Sequence, residues 1–215
     1  KIVAMSAPLA TQLLVTARTP GGLSLFLVDA DWSAIDAHHY RTVDDRRAAD
    51  LRFDGVPGIL LGAEGQAWLS LAQARDEGAT AVCAEAVGLM RKVLADTVEY
   101  CKQRQQFGQP IGSFQVLQHR MVDMYMEVEQ AVAAVYLAAL NLEADADARA
   151  RAVSAAKATI GRAARFVGQQ AVQLHGGMGM TEELAIGHYF KRLTALQYEF
   201  GSTDYHIARY ASLTK

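Results

Sequence analysis

A chain of 215 residues with 51% hydrophobic and 20% charged residues carries enough apolar material for one large or two small globular domains. Its formal net charge of -2 leaves no basic excess to neutralise phosphates, which argues against nucleic acid as the main partner. No apolar run approaches the roughly 20 residues of a membrane span, and Lys1-Ile2-Val3-Ala4-Met5 lacks the length and cleavage pattern of a signal peptide.

Residues 1–57 read as strands. Lys1 opens as if in mid-strand, so a fragment of a longer chain is expected. Two short apolar runs, 13–18 and 23–29, flank Thr19-Pro20-Gly21-Gly22, a hairpin signal. Two more strand candidates lie near 38–43 and 49–53, and Val56-Pro57-Gly58 closes this part. Four strands are too few for a self-sufficient sandwich or barrel.

From residue 66 the period becomes helical. Val82, Ala86, Leu89 and Val93 fall at i, i+4, i+7 and i+11, which predicts a helix over 66–103. A second helix is expected from Ser113, a possible cap, to 142, with Leu117, Met121, Met124, Val128, Val135, Ala139 and Leu142 on one face. Its methionines read as core filler rather than a ligand set. After a small polar linker at 144–148, a third helix is expected over 149–174. Val153, Ala156, Ile160, Ala164, Val167, Ala171 and Leu174 form its apolar side, and Gly176-Gly177 is its stop. Shorter helices are expected over 182–196 and 203–212. Long antiparallel helices with short joins make a bundle, so the fold class is mainly α. Cys83 and Cys101 lie about 27 Å apart along one helix, beyond disulfide reach, which suggests core packing and a reducing, cytoplasmic setting.

Two stretches carry polar chemistry. The turn at 104–118 has Gly108, Pro110 and Gly112 within five residues, which forbid a continuous helix. It also holds Arg104, a fork of donors suited to phosphate, and glutamines suited to a heterocycle edge. The second stretch runs from Gln173 through Gly176, Gly177 and Gly179 to Glu183. Its glycines admit close backbone approach, but it is no dinucleotide fingerprint, because a helix precedes it and the third glycine is missing. The plainer readings are a helix–helix loop and a glycine-rich helix stop. None of the six histidines has a glutamate three residues before it, and no His-Glu-x-x-His, Walker or Gly-x-Ser-x-Gly motif occurs. His119, His175, His188 and His206 read as structural. Glu77, Glu85 and Glu199 are the carboxylates of interest, Glu85 because it borders the apolar face of the first long helix.

Arg104-x-x-Phe107-Gly108-x-Pro110-Ile111-x-x-Phe114-Gln115-x-x-Gln118, followed by Gln173-x-x-Gly176-Gly177-x-Gly179, resembles the C-terminal half of the acyl-CoA dehydrogenases. Ala84-Glu85-Ala86-Val87-Gly88 and His188-Tyr189-Phe190-Lys191-Arg192 resemble the bacterial branch with pimeloyl-CoA dehydrogenase small subunits and steroid side-chain enzymes. The resemblance implies a remnant of the middle β-domain over 1–57 and a C-terminal four-helix bundle over 58–215. It implies FAD at a subunit interface. Arg104 would contact the pyrophosphate of a neighbouring subunit's FAD, with Gln106, Phe107 and Gln115 beside it. Gln173 and the Gly176-Gly177 backbone would bind the same dinucleotide from another subunit, and the loop Gly201-Ser202-Thr203 would close over the cofactor.

The family reaction is α,β-dehydrogenation of an acyl-CoA thioester, with an electron-transfer flavoprotein or similar acceptor. The expected assembly is a homo- or hetero-oligomer, a dimer of dimers. The usual base is the Glu immediately before a loop Gly; here Tyr198-Glu199-Phe200-Gly201 displaces Glu199 by one residue. The alternative base position on the first bundle helix matches Gly78. Glu199 is the candidate base, and a heteromer whose partner supplies the base is the other reading. The acyl chain stays open among fatty, dicarboxyl and steroid side-chain types.

Overall fold

The computed structural model describes residues 1–214, and these divide into two compact units, residues 1–74 and residues 75–214. The first unit holds two three-stranded antiparallel sheets. Strands β1 (Ala4–Met5), β5 (Arg47–Arg52) and β4 (Asp36–Arg41) pair in the order β1-β5-β4, and β2 (Gln12–Thr19), β3 (Gly22–Asp29) and β6 (Ile59–Leu61) in the order β2-β3-β6. The β2–β3 hairpin closes with Thr19 opposite Gly22, which takes φ 122°. Pro cannot donate in a ladder and Gly tolerates that backbone, so the turn forms where the sequence signals it. Val28, Ile35, Ala49 and Leu51 make the core of this unit. β1 and β6, two and three residues long, carry too little alternation to be read beforehand.

In the second unit α1 (Ala67–Gln103), from residue 75 onward, α2 (Gln115–Leu140), α3 (Ala146–His175) and α4 (Ala185–Leu196) share one core, and α5 (Thr203–Ser212) packs on α3. Cross-links fix the directions. The Arg120–Gln170 hydrogen bond joins the start of α2 to the end of α3. Tyr100, at the end of α1, stacks on His175, at the end of α3. Lys157, early in α3, meets the last turn of α4. α1 and α3 therefore run one way and α2 and α4 the other, an up-and-down bundle.

Met90 and Val93, Met124 and Val128, Val153, Ile160 and Val167, and Leu193 interlock at its centre. Each such side chain contributes about 1.5–3 kcal/mol by leaving water. α3 is rich in alanine on its buried side (Ala156, Ala163, Ala164, Ala171), which lets neighbouring helices approach closely.

Three local expectations change. Ser113 does not cap α2: Phe114 occupies the N-cap without a side-chain bond, and Ser113 Oγ donates to the Pro110 carbonyl. Part of the polar linker is helical, because the Asp145 carboxylate accepts from the amides of Asp147 and Ala148 and starts α3 at Ala146. Ala139 is exposed, whereas Ala131 and Ala138 are buried, continuing the face of Met124 at i+7 and i+14. Both cysteines are free and buried, and burial pushes the Cys83 thiol up to about 12, which leaves it inert. Among the described residues no helix is long and apolar enough to cross a membrane.

Candidate functional site

The turn between α1 and α2 is a small hairpin. β7 (Gln105–Gln106) pairs with β8 (Gln109–Pro110), and Phe107 and Gly108 at its tip both have positive φ, 56° and 79°. Two left-handed residues suit a tight hairpin turn, but a bulky aromatic there is costly. Phe107 is also 90% exposed, its ring edge-on to Phe114. The Ile111 amide donates to the Arg104 carbonyl and closes the base of the turn. Gly112 is needed for packing, since a Cβ there would stand 3.0 Å from the Cys101 carbonyl oxygen.

Around this turn, donors are exposed and uncommitted. Among the described residues, the Arg104 guanidinium has no ion pair, and the amides of Gln115 and Gln173 have no hydrogen bond within the chain. Gln106 instead bonds the neighbouring Gln105 carbonyl, and Gln118 bonds the Gly112 carbonyl. α3 ends at Gly176 (φ 61°), and a Cβ on Gly176 or Gly177 would meet nothing within 4 Å, so that backbone faces open space. Gly179, by contrast, is packed, since a Cβ there would stand 2.9 Å from the Val172 carbonyl oxygen. The Tyr100–His175 stack, 4.2 Å between centroids, holds the turn and the glycine stop at one end of the bundle.

The remaining candidates lie at the other end. Lys157 and His175 are 18 residues apart on α3, about 27 Å. There Ser202 caps α5, its Oγ accepting from the Tyr205 amide, and Thr203 Oγ1 sits where a Cβ on Gly161 would stand, 2.5 Å away. One chain therefore does not bring Ser202 and Thr203 to Arg104 and Gln173.

Glu199 is held by Arg192, whose Nη1 donates to Glu199 Oε1 at 2.6 Å. The same guanidinium takes Glu85 with both remaining arms, Nε to Oε1 at 2.6 Å and Nη2 to Oε2 at 2.8 Å. Phe200, at φ 57°, lays its ring over Gly78. The two positions at which the resemblance would place a base are thus a phenylalanine and a glycine in contact.

Of the groups that hold this end, sequence reading misses Lys157 and Asp76, whereas it reads His206 as structural. Lys157, 2% exposed, donates to the carbonyls of Leu196, Gln197 and Gly201 at 3.0, 3.1 and 3.0 Å. Its position midway between Val153 and Ile160 on the apolar face is the available signal. Burial lowers its pKa, against the opposing pull of Cys83 and Glu199. His206, fully buried, donates from Nε2 to the Phe200 carbonyl and faces Ser154 Oγ with Nδ1. Burial lowers its pKa to about 4, with Lys157, Arg209 and Arg75 adding to the effect. Asp76, 1% exposed, is gripped by both Arg209 nitrogens at 2.5 and 3.0 Å, with Arg149 Nε 3.5 Å away.

Fold and exposed turn end together define an antiparallel helical-bundle domain with donors facing outward at one end. Residues 68–212 match the model of the acyl-CoA dehydrogenase C-terminal domain. An acyl-CoA dehydrogenase of Mycobacterium tuberculosis, IpdE2, is 40% identical over 188 residues, 83% of this chain and 50% of that protein. The short-chain-specific enzyme of Megasphaera elsdenii is 33% identical, covering 69% of this chain and 38% of its own length. Among solved structures, the Tcur3481-Tcur3483 steroid ACAD variant matches with TM-score 0.87 and 32% identity over 100% of this chain and 58% of that one. Butyryl-CoA dehydrogenase from Megasphaera elsdenii matches with TM-score 0.90 and 26% identity, again over 100% of this chain and 58% of that one. The chain belongs to the acyl-CoA dehydrogenase family, and it spans about half or less of the length of the curated relatives it matches.

Proposed function

We propose that this chain is part of an FAD-dependent acyl-CoA dehydrogenase, which removes hydrogen from Cα and Cβ of an acyl-CoA thioester, and that its turn end is the FAD interface. The observation that carries the reading is the uncommitted set of Arg104, Gln115 and Gln173 beside the open Gly176-Gly177 backbone. The set fits the group: a guanidinium fork suits a diphosphate, side-chain amides suit a heterocycle edge, and bare glycine backbone admits close approach. Phe107, exposed at the hairpin tip, would pack against the cofactor or the neighbouring subunit that holds it. Ser202 and Thr203, at the far end, would serve a second copy of the cofactor, which requires an oligomer.

When bound, FAD would accept the hydride from Cβ. An electron-transfer flavoprotein or similar acceptor would take the electrons onward, and two buried, unpaired thiols agree with a cytoplasmic setting. The test is direct. The purified protein should show a flavin absorption spectrum that bleaches with an acyl-CoA of suitable chain; a colourless protein that takes up no added FAD would reject the reading.

A second reading concerns the base. Phe200 stands immediately before Gly201, its ring fills the face of Gly78, and Glu199 is tied to Arg192. These contacts favour a heteromer in which this chain builds the FAD interface and a different subunit supplies the carboxylate that takes the α-proton. On that reading Glu199→Gln leaves the activity of the reconstituted complex intact; a loss of several orders of magnitude in kcat would instead restore Glu199 as the base.

A further inference from the structure

Within the segment from Gln197 to Thr203 the Gly201 amide donates to the Tyr198 carbonyl at 3.3 Å, a long bond for a turn with a strained backbone. Phe200 and Gly201 both have positive φ, 57° and 116°. Gly201 accepts this readily but Phe200 does not, so contacts from outside the segment are needed to hold Phe200 there. α3 supplies the mould as a row of three residues on one face, Ser154, Lys157 and Gly161, at i, i+3 and i+7. Gly161 makes room for Thr203 Oγ1, and Ser154 faces His206, which bonds the Phe200 carbonyl. Lys157 stands between them and takes three carbonyls.

The stoichiometry is informative. An ammonium has three N–H donors and no acceptor, and here it meets three carbonyl oxygens, all within 3.1 Å. Two of them, on Leu196 and Gln197, end α4, where the carbonyls carry partial negative charge; the third belongs to Gly201. One buried cation thus ties a helix terminus to the far side of the loop that follows it.

We propose that Lys157 is a positioning residue, whose ammonium holds the 197–203 segment in the form that presents Ser202 and Thr203 and keeps Phe200 over Gly78. The flavin side of this inference rests on the function proposed above; the structural side does not.

The experiment is hydrogen–deuterium exchange on the flavin-loaded protein and its Lys157→Met variant, with flavin content read on the same samples. Met keeps the length of the stem and removes all three donors. Amides over 197–206 should exchange at least tenfold faster, while α2 and the 104–114 turn keep wild-type rates, and flavin content should fall severalfold. Faster exchange throughout the bundle would mean general loss of stability and would overturn the proposal, as would wild-type rates over 197–206. If Lys157→Met does not fold, Gly161→Ala attacks the same contact from the neighbouring position, and unchanged exchange over 197–206 in that variant refutes the mould. If the wild-type protein takes no flavin but Lys157→Met still loosens only this segment, Lys157 keeps its role and the flavin reading alone falls.

Discussion

The ring of Phe200 covers the α-carbon of Gly78 so closely that a Cβ on Gly78 would stand 2.5 Å from Phe200 Cζ. A helix interior normally favours Ala over Gly by about 1 kcal/mol, so this glycine is kept by its neighbour and not by the helix. The two residues should therefore be coupled. Gly78→Ala is expected to destabilise the wild-type chain, yet to stabilise a Phe200→Ala background by up to about 1 kcal/mol. A double-mutant cycle by urea denaturation should give a coupling of about 1–2 kcal/mol. Additive effects would show that the ring moves aside freely.

Asp76 faces both Arg209 and Arg149 in a buried cluster, and Arg75 lies over the Tyr205 ring 5.6 Å away. Removing one member of a buried pair leaves its partners uncompensated. Asp76→Ala should cost about 3–5 kcal/mol by chemical denaturation. Asp96→Ala, which breaks the exposed pair with Lys92, should leave the unfolding midpoint unchanged.

His206 makes stability depend on pH with a definite sign. Its folded pKa is about 4 against 6.5 unfolded, so between those values the unfolded chain binds more protons. Its contribution is complete above pH 6.5 and is lost as pH falls toward 4, by about 3 kcal/mol at most. His206→Gln should flatten the dependence of the urea midpoint on pH between about 4 and 7, relative to wild type. Parallel curves for the two proteins would assign the acid sensitivity elsewhere.

Arg104→Ala should weaken flavin retention by about ten- to a hundredfold, since a hydrogen bond to a charged group contributes about 1.5–3 kcal/mol. The thermal midpoint of the flavin-free protein should not change, because the guanidinium is exposed and carries no ion pair among the described residues. Unaltered flavin content in the variant would remove Arg104 from the interface.

The long helices are legible because helical burial repeats in the sequence. All seven residues expected on the inner face of α3, Val153 through Leu174, are buried. The turn at 104–114 is legible because Gly and Pro exclude a helix whatever the surroundings. Ser113 misleads because a capping hydroxyl is judged by residue type, whereas its bond depends on where the turn carries it; here it reaches Pro110. Glu199 reads as a carboxylate available for proton transfer because nothing local shows Arg192 reaching across to it.

By itself, then, the amino-acid order determined which faces are apolar, where the chain must turn and which donors gather near each turn, since all three follow from neighbours within a few residues. Only the packed bundle decided that Lys157 meets carbonyls 39 to 44 positions away, that Arg209 finds Asp76 at a separation of 133, and that Arg104 and Thr203 stand at opposite ends. Such pairings have no local signature: each polar group meets whatever the close approach of helices sets opposite it, and burial then makes leaving that partner costly.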